Sequence, residues 1–137
     1  RMLERLRRGH SVAQVVRAVE ILRAVGFRVY VDFIFALPGE REEDRRLTRD
    51  LMRRVSDLGA IVHGHAFLPL PGTPLHRAKP GRVDFKTRQL ALELAGSGRH
   101  CGHWRQQEEL AVRLDQFFRE QSSAAAADND APTNGAD

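Results

Sequence analysis

One carboxylate lies inside the most apolar stretch of the sequence and is the first candidate for chemistry. Asp32 is embedded in the run 29–36, which is rich in Val, Phe and Ile and ends in the turn Leu-Pro-Gly-Glu at 37–40. Such a nearly continuous apolar run predicts a buried strand of a parallel sheet. Ligands of these sheets bind beyond the carboxyl ends of the strands, so chemistry is expected at the turn. Because a buried charge is costly without a partner, Asp32 either binds a ligand, caps a neighbouring turn or pairs with an Arg.

Imidazoles and one thiol form a second group of candidates. His63 and His65 occupy alternate positions of another apolar segment, hence one face of a strand. His100, Cys101 and His103 follow much later in the chain. These spacings differ from the closely paired ligands of zinc sites, so no metal site is predicted. His65 is expected instead to line a substrate cavity.

Two similar helix, glycine and strand units position these residues. Ser11 and Gln14 have the spacing of a capping box, and the helix that they begin ends at Gly26, just before the first strand. A second helix follows the 37–40 turn and ends at Gly59, before a strand predicted at 60–68. This alternation predicts an α/β fold with a parallel sheet.

Helical periodicity predicts which side chains pack in the later helices. In the second helix the apolar face is Leu47, Leu51, Val55 and Leu58, with Arg45, Arg49 and Arg53 outside. A third helix is predicted at 84–95, with Asp84 as its cap. The last helix, at 104–121, carries the apolar face Leu110, Leu114, Phe117 and Phe118.

Composition excludes several classes of protein. The net charge is +4 and the basic residues are almost all Arg, interleaved with Glu and Asp, so nucleic acid is not an expected partner. No apolar run approaches the roughly 20 residues of a membrane span. A single cysteine, Cys101, excludes a disulfide framework. The expected location is cytoplasmic.

Two motifs at strand ends resemble the radical S-adenosylmethionine (SAM) superfamily. DFIFALPGE at 32–40 and FLPLPGTP at 67–74 look like the fifth and sixth strands of its partial TIM barrel. RRGHS at 7–11 resembles the segment that enters the helix before the fifth strand. WRQQ at 104–107 is similar to the region after the barrel in members with an upstream cobalamin-binding domain. The resemblance implies a fragment of a (β/α) partial TIM barrel followed by C-terminal helices.

The resemblance also implies roles for individual residues. Arg8 would bind the methionyl carboxylate of SAM, and Asp32 would accept hydrogen bonds from its ribose hydroxyls. The backbone around two turns would bracket the adenine; these residues are Ala36, Leu37, Pro38, Phe67, Leu68 and Pro69. The cofactors implied for intact members are SAM and a 4Fe-4S cluster, with cobalamin in the subgroup that carries its domain.

Two positions depart from the family pattern. Ala36 stands where the family usually has Gly, which narrows the approach of a ligand to the strand. The family holds its cluster with a CxxxCxxC motif, whereas Cys101 is alone here. The chain is therefore expected to be the C-terminal part of such an enzyme, inactive without a missing N-terminal half of the barrel as its partner.

The chain is interpreted as three regions. Residues 1–83 form the C-terminal half of the partial barrel, 84–121 form a helical extension, and 122–137 form an Ala-rich tail predicted to be disordered. Two alternatives stay open for its function. One is a nucleotide-binding, regulatory or structural module without redox chemistry, and the other is a nonfunctional truncated product whose open strand edges promote aggregation.

Overall fold

The computed structural model describes residues 2–129, and a parallel sheet lies at its centre. Within these residues the strands are β1 Tyr30–Phe35, β2 Ile61–Ala66 and β3 His100–Cys101, in the order β1-β2-β3. Both pairs are parallel, which confirms the predicted α/β class. Strand β3 was not predicted, because two residues are too short to show a periodic pattern.

Helices surround the sheet on the side where its apolar residues lie. They are α1 Met2–Arg5, α2 Val12–Ala24, α3 Glu42–Asp57, α4 Phe85–Gly96 and α5 Trp104–Asn129. The predicted capping box begins α2: the Gln14 amide donates to Ser11 Oγ, and the Ser11 amide donates to Gln14 Oε1. Gly26 and Gly59 both have φ of +88°, a conformation that glycine adopts without strain, so each helix turns directly into the following strand.

The two faces of the sheet have opposite character. Phe33, Phe35 and Val62 are buried against the helices, where Met52 and Val55 of α3 are completely buried. The alternate residues form the other face and stay partly or largely exposed; they include Tyr30, Asp32, Ile34, His63 and His65. We call this second side the open face.

The packed side of α3 differs from the prediction at Leu47 and Arg49. Leu47 is 53% exposed, whereas Arg49 is only 5% exposed. The Arg49 guanidinium reaches the start of α4, where it donates to Asp84 Oδ1 at 3.1 Å and to Thr87 Oγ1 at 3.3 Å. Periodicity alone misplaced Arg49 because a buried guanidinium with polar partners occupies a position that the apolar pattern assigns to solvent.

The packed side of α5 also differs from the prediction. Trp104, Glu108 and Ala111 are buried, whereas Leu110 and Phe117 are about half exposed. Glu108 accepts from the Val83 amide at 2.7 Å and pairs with Arg88, so a satisfied carboxylate takes part in the packing. The predicted apolar face therefore describes only the part-buried Leu114 and Phe118 correctly.

The region predicted as a helical extension, 84–121, takes part in the sheet and packs against it. Strand β3 pairs with β2, and α5 contacts β2. Helix α5 continues to Asn129, beyond the predicted end at 121, through a run of alanines that have the highest helix propensity. The rest of the tail predicted as disordered, 130–137, lies outside the described residues.

Candidate ligand site at the sheet edge

A carboxylate and two imidazoles meet on the open face. Asp32 of β1 lies in register with His63 of β2, and His65 follows two residues later on the same side. Asp32 Oδ1 is 2.8 Å from His63 Nδ1 and 3.6 Å from His65 Nε2. The side chains are 64%, 35% and 30% exposed, respectively, so the group is accessible from the open face.

Gln107 of α5 orients the ring of His65. Its Oε1 accepts from the Ala66 amide at 2.9 Å, which identifies the other end of the side-chain amide as the donor group. This Nε2 lies 3.3 Å from His65 Nδ1. Because an amide nitrogen can only donate, His65 Nδ1 is the acceptor, and the hydrogen-bond network assigns the proton of the neutral ring to Nε2, facing Asp32.

A cavity of about 260 Å³ lies along the outer edge of β1. Its polar lining includes Arg8, Asp32 and Glu40, and its apolar lining includes Leu37 and Leu51. The cavity thus brings together three residues that the sequence analysis assigned to SAM. The other predicted contacts are not part of its lining; they are Ala36, Pro38, Phe67, Leu68, Pro69 and His65.

Backbone groups of β1 face this cavity edge. The Val29 carbonyl accepts from the Ile61 amide at 2.8 Å, and the Phe35 carbonyl accepts from the Phe67 amide at 2.9 Å. The odd-numbered residues of β1 therefore direct their backbone groups toward β2. The even-numbered residues 30, 32 and 34 therefore turn their N–H and C=O groups toward the opposite edge. Within residues 2–129, no strand pairs with that edge.

The two predicted adenine-bracketing turns lie side by side, as expected for neighbouring strands. The Phe67 amide donates to the Phe35 carbonyl, which joins the beginnings of the two turns. Phe67 and Pro69 are themselves buried.

Ala36 has φ of +58°, in the left-handed region that disfavours residues with a Cβ. This is the position where the family usually has Gly, so the conformation explains the family preference. Ala36 is 8% exposed, and its carbonyl lies close to Gly81. The turn therefore has at position 36 a conformation that glycine would adopt without strain.

Burial alters the ionisation of Glu40 beside the cavity. Burial raises the pKa of Glu40 above its ordinary value, and a Leu37 backbone hydrogen bond and the charge of Arg45 only partly oppose this effect. The Arg45 Nε lies 4.0 Å from the carboxylate. The sequence analysis treated Glu40 only as the last residue of the 37–40 turn and missed its position in the cavity.

His100, Cys101 and His103 do not join the Asp32 group. His100 lies in register with Val62, on the helix side of the sheet, and its Nε2 is buried without a hydrogen-bond partner among the described residues. Burial, together with the charge of His63, lowers the pKa of His100. Cys101 lies in register with His63, but it is the single thiol of the sequence.

The thiol count decides whether this chain can hold the cluster of the family. A 4Fe-4S cluster is normally held by cysteine thiolates, and CxxxCxxC supplies three. One cysteine cannot replace this motif, so the residues present do not fit a 4Fe-4S cluster.

The pairing of Asp32 with His63 is the feature that sequence reasoning missed. A signal for it existed, because Asp32 and the two histidines share the same phase in two strands that were predicted to be parallel. The contribution of Gln107 had no such signal, since it depends on where α5 crosses the end of β2.

No helix within the described residues is long and apolar enough to cross a membrane. This agrees with the hydropathy of the sequence.

Curated relatives of this chain include tRNA-modifying enzymes. It is 31% identical over 90 residues to the threonylcarbamoyladenosine tRNA methylthiotransferase MtaB of Thermotoga maritima, covering 64% of this chain and 20% of the relative. It is 39% identical over 95 residues to the tRNA-2-methylthio-N(6)-dimethylallyladenosine synthase of Chlorobium luteolum, covering 67% and 21%. The synthase of the same name from Ruegeria sp. is 28% identical over 124 residues, covering 87% and 28%.

The chain thus spans about a fifth to a quarter of the length of these relatives. A family model described as the Radical SAM superfamily matches residues 1–52, which include α2, β1 and most of α3. The predicted resemblance to the radical SAM superfamily is therefore confirmed over residues 1–52.

Proposed function

We propose that this chain supplies the SAM-contacting and substrate-facing strand ends of a radical SAM enzyme. The observation that carries the proposal is the cavity at the outer edge of β1, which Arg8, Asp32 and Leu37 line together. These residues come from the segment before α2, from β1 and from the turn after β1. Residues that are separate in sequence thus converge at the place where the family resemblance assigns SAM.

The chemistry of the lining suits the ends of SAM. The Arg8 guanidinium can donate two parallel hydrogen bonds to the methionyl carboxylate. Both imidazoles approach Oδ1 of Asp32, so Oδ2 is the carboxylate oxygen left for a ribose hydroxyl among the described contacts. The adenine would lie against the backbone of residues 36–38 and 67–69.

The cavity is smaller than a complete ligand pocket. Its volume of about 260 Å³ lies below the roughly 300–1,000 Å³ of typical small-molecule sites. The unpaired edge of β1 forms one side of it, so a strand added there would complete the wall. We propose that this strand belongs to an N-terminal half of the barrel, which also provides CxxxCxxC.

A 4Fe-4S cluster held by such a partner segment would supply the electron for the reductive cleavage of SAM. This chain would bind and orient SAM and would present His65 to the substrate. The use of cobalamin remains a prediction from the resemblance of residues 104–107. Within the described contacts, Trp104 packs edge-to-face on Phe35 and Gln107 orients His65, which gives both residues structural roles.

The proposal does not extend to the tRNA substrates named for the relatives. Four of the five arginines of α3 are paired with acidic side chains, as in Arg46 with Asp50 at 3.1 Å and Arg45 with Glu42 at 3.8 Å. Such pairing lowers the net positive charge of α3 and does not favour nucleic-acid binding by this helix. The substrate is therefore proposed only as a molecule that reaches the open face.

SAM binding to variants tests the ligand assignment. Equilibrium dialysis with labelled SAM should show binding that Arg8→Gln and Asp32→Asn each weaken by about tenfold or more, since each loses a charge-assisted hydrogen bond. Arg53→Gln and Asp50→Asn, an exposed pair on α3, are the matched controls. Equal SAM binding by all four variants would overturn the assignment.

The DNA immediately upstream of the Arg1 codon, read in all frames, tests the partner. A CxxxCxxC segment in frame or one frameshift away is the expected result. SAM binding without any such segment would favour a second function, a SAM-binding module without redox chemistry. The observation that favours this alternative is the single cysteine.

A further inference from the structure

We infer that Asp32, His63 and His65 form a binding site for a divalent transition-metal ion of the zinc, cobalt(II) or iron(II) class. One donor atom of each residue lies within 4.8 Å of the donor atoms of the other two. Two imidazoles and one carboxylate are a donor set that such ions accept. The sequence analysis predicted no metal because it compared the histidines with residues 100–103 and not with Asp32.

Two of the observed separations are close to those of ligands around one ion, and the donor atoms of His63 and His65 lie within 4.8 Å of each other. Metal bonds of about 2.0–2.1 Å imply donor atoms about 2.9 Å apart in octahedral geometry and about 3.4 Å apart in tetrahedral geometry. Asp32 Oδ1 lies 2.8 Å from His63 Nδ1 and 3.6 Å from His65 Nε2. Small side-chain movements therefore suffice to place an ion between the three groups.

The site is built on rigid elements and keeps open positions. Asp32 is on β1, both histidines are on β2, and the strands pair along their whole length from Tyr30 to Phe35. The exposed side chains leave the remaining coordination positions facing the open face. Three protein ligands with open positions are typical of sites where an ion binds water or a substrate donor.

Gln107 provides a specific way to probe the site. An ion on His65 Nε2 requires the proton of that ring to be on Nδ1, which then needs an acceptor. The Gln107 amide now presents its donor group to Nδ1 and uses Oε1 for the Ala66 amide. Metal binding must therefore flip the side-chain amide of Gln107 and break the hydrogen bond from the Ala66 amide to Gln107 Oε1. A carboxylate at 107 would accept from Ala66 and from His65 at once.

Cobalt(II) titration of the untagged, chelator-treated chain in the absence of SAM tests the site. We expect a visible ligand-field absorption band and a saturable binding curve. His63→Ala, His65→Ala and Asp32→Asn should each weaken binding by at least about tenfold. His76→Ala and His103→Ala, at exposed histidines outside the group, should bind cobalt(II) as the unmodified chain does. Circular dichroism checks that each variant is folded.

Gln107→Glu separates a metal site from a group held only by hydrogen bonds. If the group is a metal site, this variant should bind cobalt(II) about tenfold more tightly than the unmodified chain. The reason is that the Glu carboxylate accepts the proton on His65 Nδ1, which leaves Nε2 free to bind the ion. Absence of the band, equal binding by the His63 and His76 variants, or no gain from Gln107→Glu would each overturn the inference. Cobalt(II) is titrated without SAM and SAM binding is measured without added metal, so failure of the metal site and failure of the proposed function are distinguishable.

Discussion

At the residue scale, Ala36 shows that a residue with a Cβ occupies a left-handed backbone conformation at the end of β1. A residue with a Cβ in the left-handed region carries a cost of about 1–2 kcal/mol, and Ala36 has φ of +58°. The turn that follows Ala36 also contains Gly39, which has φ of +77°. The strand end is therefore fixed by its surroundings rather than by local preference.

Replacing Ala36 with glycine should be tolerated better than the same replacement of Ala66, at the end of the neighbouring strand β2. Ala36→Gly removes the left-handed penalty, so the free energy of unfolding should stay constant or rise by up to about 1 kcal/mol. Ala66→Gly, at a similarly buried alanine of β2, should lower it by about 1 kcal/mol. Urea denaturation measures both. A larger loss for Ala36→Gly than for Ala66→Gly would contradict the proposed strain.

The sequence predicted the role of a single residue correctly where its partners lie close by in the chain. The capping box at Ser11 and the cap at Asp84 were both confirmed, because their partners lie three residues away. The position of Arg49 and the contact of Gln107 with His65 were not predicted. Both depend on partners about 35 to 42 residues away, which no local pattern encodes.

At the element scale, a buried guanidinium joins α3 to α4. Arg49 bonds Asp84 and Thr87 at the start of α4 and Glu42 at the start of its own helix. Burial would raise the pKa of Asp84, but hydrogen bonds from Thr87 and the charge of Arg49 outweigh it and hold that pKa below its ordinary value. The carboxylate is thus charged at neutral pH and keeps the guanidinium satisfied.

Removing the Arg49 charge should destabilise the chain more than the same change on the outer side of α3. Arg49→Met keeps much of the apolar volume but leaves Asp84 without its cation, so we expect a loss of about 2 kcal/mol in the free energy of unfolding. Arg53→Met, at an exposed position, should change it by less than about 0.5 kcal/mol. Thermal and urea unfolding of both variants provide the comparison. Equal effects would mean that the Arg49 contacts contribute no net stability.

The sequence predicted the order and type of the longer elements, because helical caps and apolar runs are local signals. It missed β3, and it misplaced the packed side of α5, where Glu108 is buried with Arg88 as its partner. A charged residue inside the packing contradicts an apolar pattern, although the pair satisfies its charge.

At the scale of the whole molecule, the outer edge of β1 is unpaired within residues 2–129, and the candidate SAM cavity lies along it. Residues 30, 32 and 34 of β1 direct their backbone groups to this edge. An exposed edge of this kind is a template for another strand. The α/β class was predictable from sequence, but the exposure of this edge depends on which strands are neighbours.

Proline substitutions at adjacent positions of β1 should have opposite effects. We expect the unmodified chain to self-associate through this edge at high concentration. Tyr30→Pro removes an amide that points to the open edge, so this variant should stay folded and monomeric. Val31→Pro removes an amide directed to β2 and should destabilise the chain by about 3 kcal/mol. Sedimentation and circular dichroism separate the two results. Self-association of Tyr30→Pro equal to that of the unmodified chain would exclude β1 as the associating edge.

The far side of the sheet limits how large such an assembly can become. Strand β3 has only two residues, and the Ala66 amide beyond it is already satisfied by the Gln107 side chain. A strand this short is a poor template. Two copies that joined through β1 about a twofold axis would each use the same edge and leave no equivalent surface for a third. Growth by addition of strands to the β1 edge would therefore end at a dimer.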